Sequence, residues 1–242
     1  MMMVNKSKPQ AYPQAGVAST CRSYEEYRLM FGLTETDLER MGPVLDVAGG
    51  ASSFTAHLNA MGFPAVAVDP FYAGETEEVI AMARKEIEVS SAKLAAMSDI
   101  YDWSFYGSPG NHRAMRERSL ELFAEDFRKT EARKRYYSAS LPSLPFENDA
   151  FGLILCSHFL FLYADSFDRE FHQAAIKELF RVLRPGGELR IYPLINLKWE
   201  RYPFISDILR ELKDLAQEEY LPTALPFTPV PSPLLRLVKS DF

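Results

Sequence analysis

Residues Pro43–Ser53 have the sequence PVLDVAGGASS. The apolar residues on both sides of Asp46 predict a buried β-strand, and Pro43 stands at its first residue, where a strand tolerates proline. Gly49 and Gly50 favour a tight turn, because glycine adopts positive φ and lets a ligand approach the backbone closely. The stretch therefore predicts a strand that runs into a glycine turn.

A helix is predicted to follow this turn over residues 54–61, and Gly62 is a common kind of helix stop signal. Either Ser52 or Ser53 can cap the first turn of this helix. The N-terminus of a helix attracts anions, since its free N–H groups and its dipole point outward. We therefore expect an anion-binding site where the turn meets the helix.

The turn resembles the first motif of the class I S-adenosylmethionine-dependent methyltransferases, which usually reads Asp-x-Gly-x-Gly-x-Gly after an apolar strand. Asp46 and Gly50 match this motif, whereas Ala48 and Ser52 replace its outer two glycines. The stretch does not contain the Gly-x-Gly-x-x-Gly pattern of dinucleotide-binding turns.

Three further blocks follow in the order of that family. Residues 65–69 resemble its second strand, which ends in an acid. Residues 144–158 are similar to the block that leads into its fourth strand, and residues 178–189 are similar to the helix and turn before its fifth strand. The resemblance covers residues 43–194, with a long insertion in the middle.

The resemblance implies an α/β fold with a doubly wound, mostly parallel seven-stranded sheet. Helices cover both faces, the last strand is antiparallel, and a helical insertion lies between strands 2 and 3. We divide the chain into a mobile N-terminal arm over residues 1–20 and a class I methyltransferase-like domain over residues 21–242. Within that domain, a helical lid or insertion is expected at about residues 73–134.

Hydrophobic periodicity and breakers predict the remaining elements. Thr34 with Asp37 has the pattern of a capping box. Helices are predicted at residues 24–31, 38–41, 75–97, 111–135, 167–183 and 203–219. Strands are predicted at residues 136–139, 151–157, 189–194, 224–228 and 234–238.

The resemblance implies S-adenosylmethionine as cofactor and S-adenosylhomocysteine as product. Asp69 is the expected ligand of the ribose hydroxyls, because it follows the glycine turn by about twenty residues, a spacing known for ribose-binding acids. Ser140 stands where the family often has an aspartate for the adenine, and Gly152 replaces another frequent aspartate. The predicted cofactor-binding residues are Asp46, Ala48, Gly49, Gly50, Ser52, Ser53, Asp69, Pro70, Ser140, Leu141 and Ser157.

Methyl transfer from a sulfonium is an in-line displacement, so the protein mainly has to hold donor and acceptor at attack distance. A base is needed only if the acceptor must lose a proton. His158 follows the predicted fourth strand, at the edge where open α/β sheets bind ligands. It is the candidate catalytic base or substrate contact; the alternative is a histidine that only packs. No cluster of Cys and His has metal-ligand spacing, and we expect no metal.

Residues 99–110 contain a dense group of aromatic residues followed by glycine and proline. This composition favours a hinged loop, so we hypothesise that residues 99–135 form a lid over the acceptor pocket. The alternative is that Trp103 and Phe105 anchor a fixed helical layer to the sheet.

The 242-residue chain carries a net charge of −6, which argues against a broad nucleic-acid surface. Cys156 lies in a predicted buried strand, so a disulfide with Cys21 is not expected and a reducing cytoplasm fits. We expect a cytoplasmic protein with neither a membrane nor a nucleic-acid partner; the oligomeric state is left open.

The sequence thus predicts methyl transfer from S-adenosylmethionine to a small-molecule acceptor. One alternative is a non-catalytic relative that keeps the methyltransferase fold and binds a ligand or partner. A further alternative is an RNA or protein methyltransferase; against it stand the acidic charge balance and the sequence Cys156–Phe159, which lacks the Asn-Pro-Pro-Tyr type of motif.

Overall fold

A computed structural model describes residues 9–241 of the chain. A single seven-stranded sheet has the strand order β3-β2-β1-β4-β5-β7-β6, and β7 is antiparallel to its two neighbours. The strands are β1 Val44–Val47, β2 Ala65–Val68, β3 Tyr136–Tyr137, β4 Phe151–Ser157, β5 Leu183–Tyr192, β6 Ala216–Leu221 and β7 Leu234–Lys239. The helices are α1 Tyr24–Phe31, α2 Glu35–Met41, α3 Phe54–Ala60, α4 Thr76–Ala96, α5 Pro109–Phe127, α6 Arg169–Val182 and α7 Ile205–Glu211. The predicted fold class is confirmed.

The two central strands, β1 and β4, are buried along their whole length. Their near-continuous apolar sequence is typical of parallel strands that are covered on both faces. Alternate residues of β4 point to opposite faces, so Ile154 joins the core beneath α6 whereas Leu153 joins the core beneath α1 and α2. Asp46 is the one charged residue in β1, and it is buried with the rest of the strand.

The two N-terminal helices are both held by capping boxes. The predicted box of Thr34 and Asp37 is confirmed, and it starts α2 at Glu35, earlier than the sequence predicts. A second box joins Ser23 and Glu26 at the start of α1. These caps satisfy the first N–H groups of each helix and so define where each helix begins.

The predicted insertion between β2 and β3 consists of α4 and α5, which pack against each other. Short 3₁₀ turns lie before the pair over Pro70–Ala73, between the two helices over Ser98–Ile100, and after the pair over Thr130–Lys134. The described residues include no helix that is both long and apolar enough to cross a membrane.

The end of the chain differs from the prediction. The helix predicted at residues 203–219 ends at Glu211, and the sixth strand lies at Ala216–Leu221 rather than at residues 224–228. The strand is at the edge of the sheet and mostly exposed, so its sequence AQEEYL needs no apolar face and lacks the alternation that marks a strand. Edge strands commonly carry such charged residues, which discourage pairing with other chains.

The predicted mobile arm lies partly outside the described residues, since residues 1–8 are not described. Over residues 9–20 the chain forms neither helix nor strand. It lies along the domain: the Tyr12 N–H donates to the Leu197 carbonyl at 2.9 Å, and the Ala18 N–H donates to the Tyr163 hydroxyl at 3.0 Å. Mobility of the arm remains a prediction.

Gly152 lies where the end of α2 crosses the start of β4. A Cβ atom at this position would be 1.6 Å from the Met41 carbonyl oxygen, and the Gly152 N–H donates to the Pro43 carbonyl at 3.1 Å. The backbone of one element therefore fills the space of a side chain on the other. This contact explains why glycine replaces the family's frequent aspartate here.

We predict that Gly152→Ala destabilises the protein by about 3 kcal/mol or more, because a rigid backbone carbonyl must move to admit the methyl group. Urea unfolding measures the change. Gly110→Ala is the matched control: its Cβ would meet only the Ser108 hydroxyl at 3.8 Å, an ordinary contact, so this variant should unfold at the same or slightly higher urea. Equal stability of the two variants would contradict the close approach of α2 and β4.

Candidate functional site

A cavity of about 530 Å³ opens at the carboxyl ends of β1 and β2. This is the edge of an open α/β sheet at which ligands bind, and the volume suits a small molecule. Five of the predicted cofactor-binding residues line the cavity: Ala48, Asp69, Pro70, Ser140 and Leu141. The other predicted site residues do not line it: Asp46, Gly49, Gly50, Ser52, Ser53, Ser157 and His158.

Asp69 joins the glycine turn to the end of β2. Its carboxylate accepts hydrogen bonds from the Gly50 N–H at 2.9 Å and from the Phe71 N–H at 2.9 Å. Burial raises the pKa of Asp69, and the two backbone N–H groups oppose that rise. A carboxylate offers about four lone-pair sites. The half-buried Asp69 can therefore still accept hydroxyl groups from a ligand in the cavity.

Asp46 lies beneath the turn and is buried. The Tyr27 hydroxyl donates to its carboxyl group, at 3.0 Å from Oδ1 and 3.1 Å from Oδ2. Burial raises the pKa of Asp46 to about 8, the Tyr27 hydrogen bond acts in the opposite direction, and the charge of Asp69 adds to the rise. A Cβ at Gly49 would be 2.8 Å from Oδ2 of Asp46, which accounts for glycine there.

Two residues of the turn have left-handed backbone conformations, Ala48 with φ 57° and Gly50 with φ 54°. Alanine rarely adopts this region, and Ala48 stands where the methyltransferase motif has its first glycine. Above Gly50 lies the N-terminal segment: a Cβ there would be 2.8 Å from the Ser19 hydroxyl and 2.9 Å from the Thr20 carbonyl. The chain itself therefore covers the middle of the turn.

The expected anion site at the start of α3 is filled by protein groups. The Ser53 N–H donates to the Arg22 carbonyl and to the Ser119 hydroxyl, both at 3.1 Å. Of the two candidate caps, Ser52 acts, since its hydroxyl accepts from the Phe54 N–H at 3.1 Å, whereas the Ser53 side chain makes no cap hydrogen bond. Both serines are buried, and they hold the N-terminal segment and α5 against α3.

His158 follows β4 with a left-handed φ of 51°, and its N–H donates to the Tyr192 carbonyl at 2.6 Å. The Ser157 hydroxyl lies 3.1 Å from Nδ1 of the ring. Burial holds the pKa of His158 well below its usual range, and the positive charges of Arg22 and Arg116 act in the same direction. The imidazole is therefore neutral at neutral pH, and its lowered pKa makes it a weak proton acceptor. Its catalytic role remains a prediction.

A buried ionic network that the sequence did not predict lies beside this edge. Glu26 accepts hydrogen bonds from Arg116 at 2.5 Å and from the Tyr106 hydroxyl at 2.6 Å, and Arg22 lies 3.8 Å away. Burial would raise the pKa of Glu26, but the two arginines and the hydrogen bonds hold it at about 2. The Ser23-x-x-Glu26 pattern signals the helix start, but it gives no sign of the distant arginine.

The same network determines where residues 99–135 lie. Tyr106 and Arg116 hold this segment against α1, and Trp103 and Phe105 pack on the core beneath α1 and α2. None of these residues lines the cavity, whose outer wall is formed by Met82 and Glu86 of α4. Buried contacts thus hold the aromatic group on the side of α1, and the lid of residues 99–135 over an acceptor pocket remains a prediction.

Residues 9–241 contain no group of three or more His, Cys, Asp and Glu side chains that could hold a metal ion. The acidic side chains that line the cavity are Asp69 and Glu86, whereas His158 does not line it.

Comparison with known proteins gives matches over most of the chain. A family model described as a methyltransferase domain matches residues 114–191. An uncharacterized protein of Methanocaldococcus jannaschii is 34% identical over 193 residues, which are 79% of this chain and 84% of that protein.

Among solved structures, the N-methyltransferase NodS from Bradyrhizobium japonicum, in complex with S-adenosyl-L-homocysteine, is 14% identical with a TM-score of 0.49. The match covers 89% of this chain and 84% of that one. A possible histamine N-methyltransferase from Thermotoga maritima is 15% identical with a TM-score of 0.41, over 90% of this chain and 95% of that one.

We predict that Asp46→Asn stabilises the protein more at about pH 8 than at about pH 5. The pKa of Asp46 is raised from 3.8 to about 8 in the folded protein, so the folded state holds a proton that the unfolded state has lost. The free energy of unfolding of the wild type therefore decreases as the pH rises from 3.8 to about 8, by about 1.4 kcal/mol per pH unit. Asparagine keeps the shape and cannot ionise.

Thermal unfolding at both pH values measures this effect. Asp99→Asn is the control, since Asp99 is exposed and its replacement should change stability equally at both pH values. A stability gain of Asp46→Asn that does not depend on pH would contradict a protonated Asp46.

We predict that Ala48→Gly is neutral or stabilises the protein by up to about 1 kcal/mol. A left-handed conformation costs an alanine about 1–2 kcal/mol, and the greater entropy of glycine in the unfolded state offsets part of the gain. Ala51→Gly, in the same turn and buried with negative φ, should instead destabilise. Chemical denaturation compares the two; equal losses would refute strain at Ala48.

Proposed function

The chain belongs to the class I S-adenosylmethionine-dependent methyltransferase family, and from that premise we propose that it transfers a methyl group to a small-molecule acceptor. The family assignment rests on the strand order with its antiparallel β7, on the methyltransferase domain match and on the sequence relative. S-Adenosylmethionine is the cofactor, and S-adenosylhomocysteine is the product.

The residues of the cavity fit the adenosyl part of this cofactor. Asp69 would accept the ribose hydroxyls, because it reaches the cavity with lone pairs that the backbone does not use. Pro70 and Phe71 beside it, with Leu141 opposite, supply apolar walls for the adenine, and the Ser140 hydroxyl can bond its amino group. When bound, the cofactor supplies an electrophilic methyl carbon.

The amino-acid end of the cofactor would meet a different part of the chain. Ala48 lines this end together with Ala18 and Ser19, whereas Ser19 and Thr20 cover Gly50. The N-terminal segment therefore takes the place that an open glycine turn and a free helix N-terminus would have offered.

One observation carries the proposal of a small acceptor: besides the cofactor residues, the cavity is lined by the rings of Phe159, Phe167 and Phe171. A cavity wall of this kind recognises a small molecule with an apolar body. The net charge of −6 further disfavours a nucleic-acid acceptor.

A non-catalytic relative of the family is the second candidate. In its favour, Ser19 and Thr20 cover Gly50, and protein groups fill the start of α3. Such a protein would keep the cavity for another ligand, or would bind the cofactor without consuming it.

Calorimetric titration of the full chain with S-adenosylhomocysteine, together with a methyl-transfer assay, tests the proposal. We expect binding by the wild type, and we expect Asp69→Asn to weaken it by roughly 1.5–3 kcal/mol, because the bonds to ribose lose their charge assistance. Asp99→Asn, an exposed aspartate outside the cavity, should leave the affinity unchanged.

Because Asp69 also accepts two backbone N–H groups, thermal unfolding of each variant must show that the fold is retained. An affinity that is unchanged in Asp69→Asn would remove the ribose role. Binding of S-adenosylhomocysteine without turnover of any acceptor would favour the non-catalytic relative, and the absence of binding would refute the proposed site.

A further inference from the structure

Two buried side-chain oxygens in the cavity wall have no hydrogen-bond partner among residues 9–241: Oε1 of Glu86 and Oγ of Ser19. Buried polar atoms in folded proteins nearly always have a partner. The described residues therefore leave one acceptor atom of Glu86 and one of Ser19 without a donor.

Glu86 carries the only acidic side chain of the cavity besides Asp69. Asp69 is held by two backbone N–H groups, whereas Glu86 forms no salt bridge with the described residues and its Oε1 has no hydrogen-bond partner among them. The nearby Lys93, on the same helix, donates instead to the Gln14 side chain at 2.8 Å and lies over the Tyr12 ring. A carboxylate without a cationic partner in an apolar cavity attracts a cationic ligand.

Aromatic rings also line this cavity. Phe167 and Phe171 are stacked with 4.2 Å between ring centroids, and Phe159 meets Phe167 edge to face at 5.6 Å. The faces of aromatic rings attract cations, and they also bury an apolar body. The cavity therefore has both an acidic side chain, Glu86, and several aromatic rings in its wall.

We propose that the methyl acceptor is an amine whose positive charge is bound by Glu86 and the surrounding phenylalanine rings. This inference rests on the proposed function and names the class of its acceptor. Burial raises the pKa of Glu86, and the charge of Lys93 opposes the rise, so the carboxylate is a better proton acceptor than an exposed one.

Glu86 also has a role in the reaction, because an ammonium ion has no lone pair with which to attack. The bound ammonium loses one proton to the Glu86 carboxylate, and the lone pair of the resulting amine forms a new bond to the methyl carbon. The bond between that carbon and sulfur breaks, and its electron pair stays on sulfur. The products are the methylated ammonium ion, S-adenosylhomocysteine and one proton, which Glu86 releases to solvent.

The experiment compares two probes of the same shape, phenethylamine and 2-phenylethanol, by calorimetric titration of the full chain loaded with S-adenosylhomocysteine. We expect the wild type to bind the amine at least about tenfold more tightly than the alcohol, as a charge-assisted hydrogen bond predicts. Glu86→Gln keeps the shape and removes the charge, so it should abolish this preference. It should change the affinity for S-adenosylhomocysteine by less than about twofold.

Glu88→Gln is the control, since Glu88 lies on the same helix but is exposed and outside the cavity. It should keep the preference for the amine. Methyl transfer from labelled S-adenosylmethionine to phenethylamine should decrease by at least about tenfold in Glu86→Gln and remain unchanged in Glu88→Gln.

Three results would overturn the proposal: equal binding of amine and alcohol by the wild type, no binding of either probe, or an unchanged amine preference in Glu86→Gln. Equal weakening of S-adenosylhomocysteine and amine in Glu86→Gln would assign Glu86 to the cofactor instead and also overturn it. Failure of the proposed function looks different: the wild type would not bind S-adenosylhomocysteine, while titration of the unloaded protein would still show the preference for the amine.

Discussion

The hydrogen bond from the Gly50 N–H to the Asp69 carboxylate joins the turn after β1 to the end of β2, and Asp69 lines the cavity beside it. Two carboxyl groups lie close together here, and their surroundings separate their roles. Asp46 is buried beneath the turn, paired with Tyr27, and its pKa of about 8 keeps it neutral. Asp69 reaches the cavity and is bonded by backbone N–H groups that favour its charged form. One acid therefore supports the turn while the other can meet a ligand.

A second constraint is the buried pair of Glu26 and Arg116, which are 90 residues apart in the chain. Removing one partner of such a pair leaves an uncompensated buried charge, so the contact strongly restricts where α5 can lie. It places the inserted helices beside α1, and α4 then reaches the cavity with Glu86. The insertion contributes to the site through α4, and not through the aromatic residues near Trp103.

The departures from the family's motif have separate physical reasons. Ser52 in place of the last glycine bonds the Arg22 carbonyl at 2.7 Å, so it holds the N-terminal segment over the turn. Gly152 in place of an aspartate admits the backbone of α2. Ala48 in place of the first glycine keeps the left-handed conformation of that position and has no compensating contact that would explain it. The substitutions at Ser52 and Gly152 are thus part of the packing, and they leave the cavity beside Asp69 intact.

The sequence by itself determined the fold and one half of the site. Three signals were present in the sequence: the continuous apolar runs at β1 and β4, the order of the motif blocks, and the spacing from the glycine turn to Asp69. The apolar runs predict strands because β1 and β4 are buried on both faces of the sheet. Tertiary structure alone decided the position of β6, the filling of the α3 N-terminus by Arg22 and Ser119, and the place of Glu86 in the cavity. An exposed edge strand needs no apolar alternation. The partners of a buried polar group can come from any part of the chain, so no local pattern of residues reveals which ones meet.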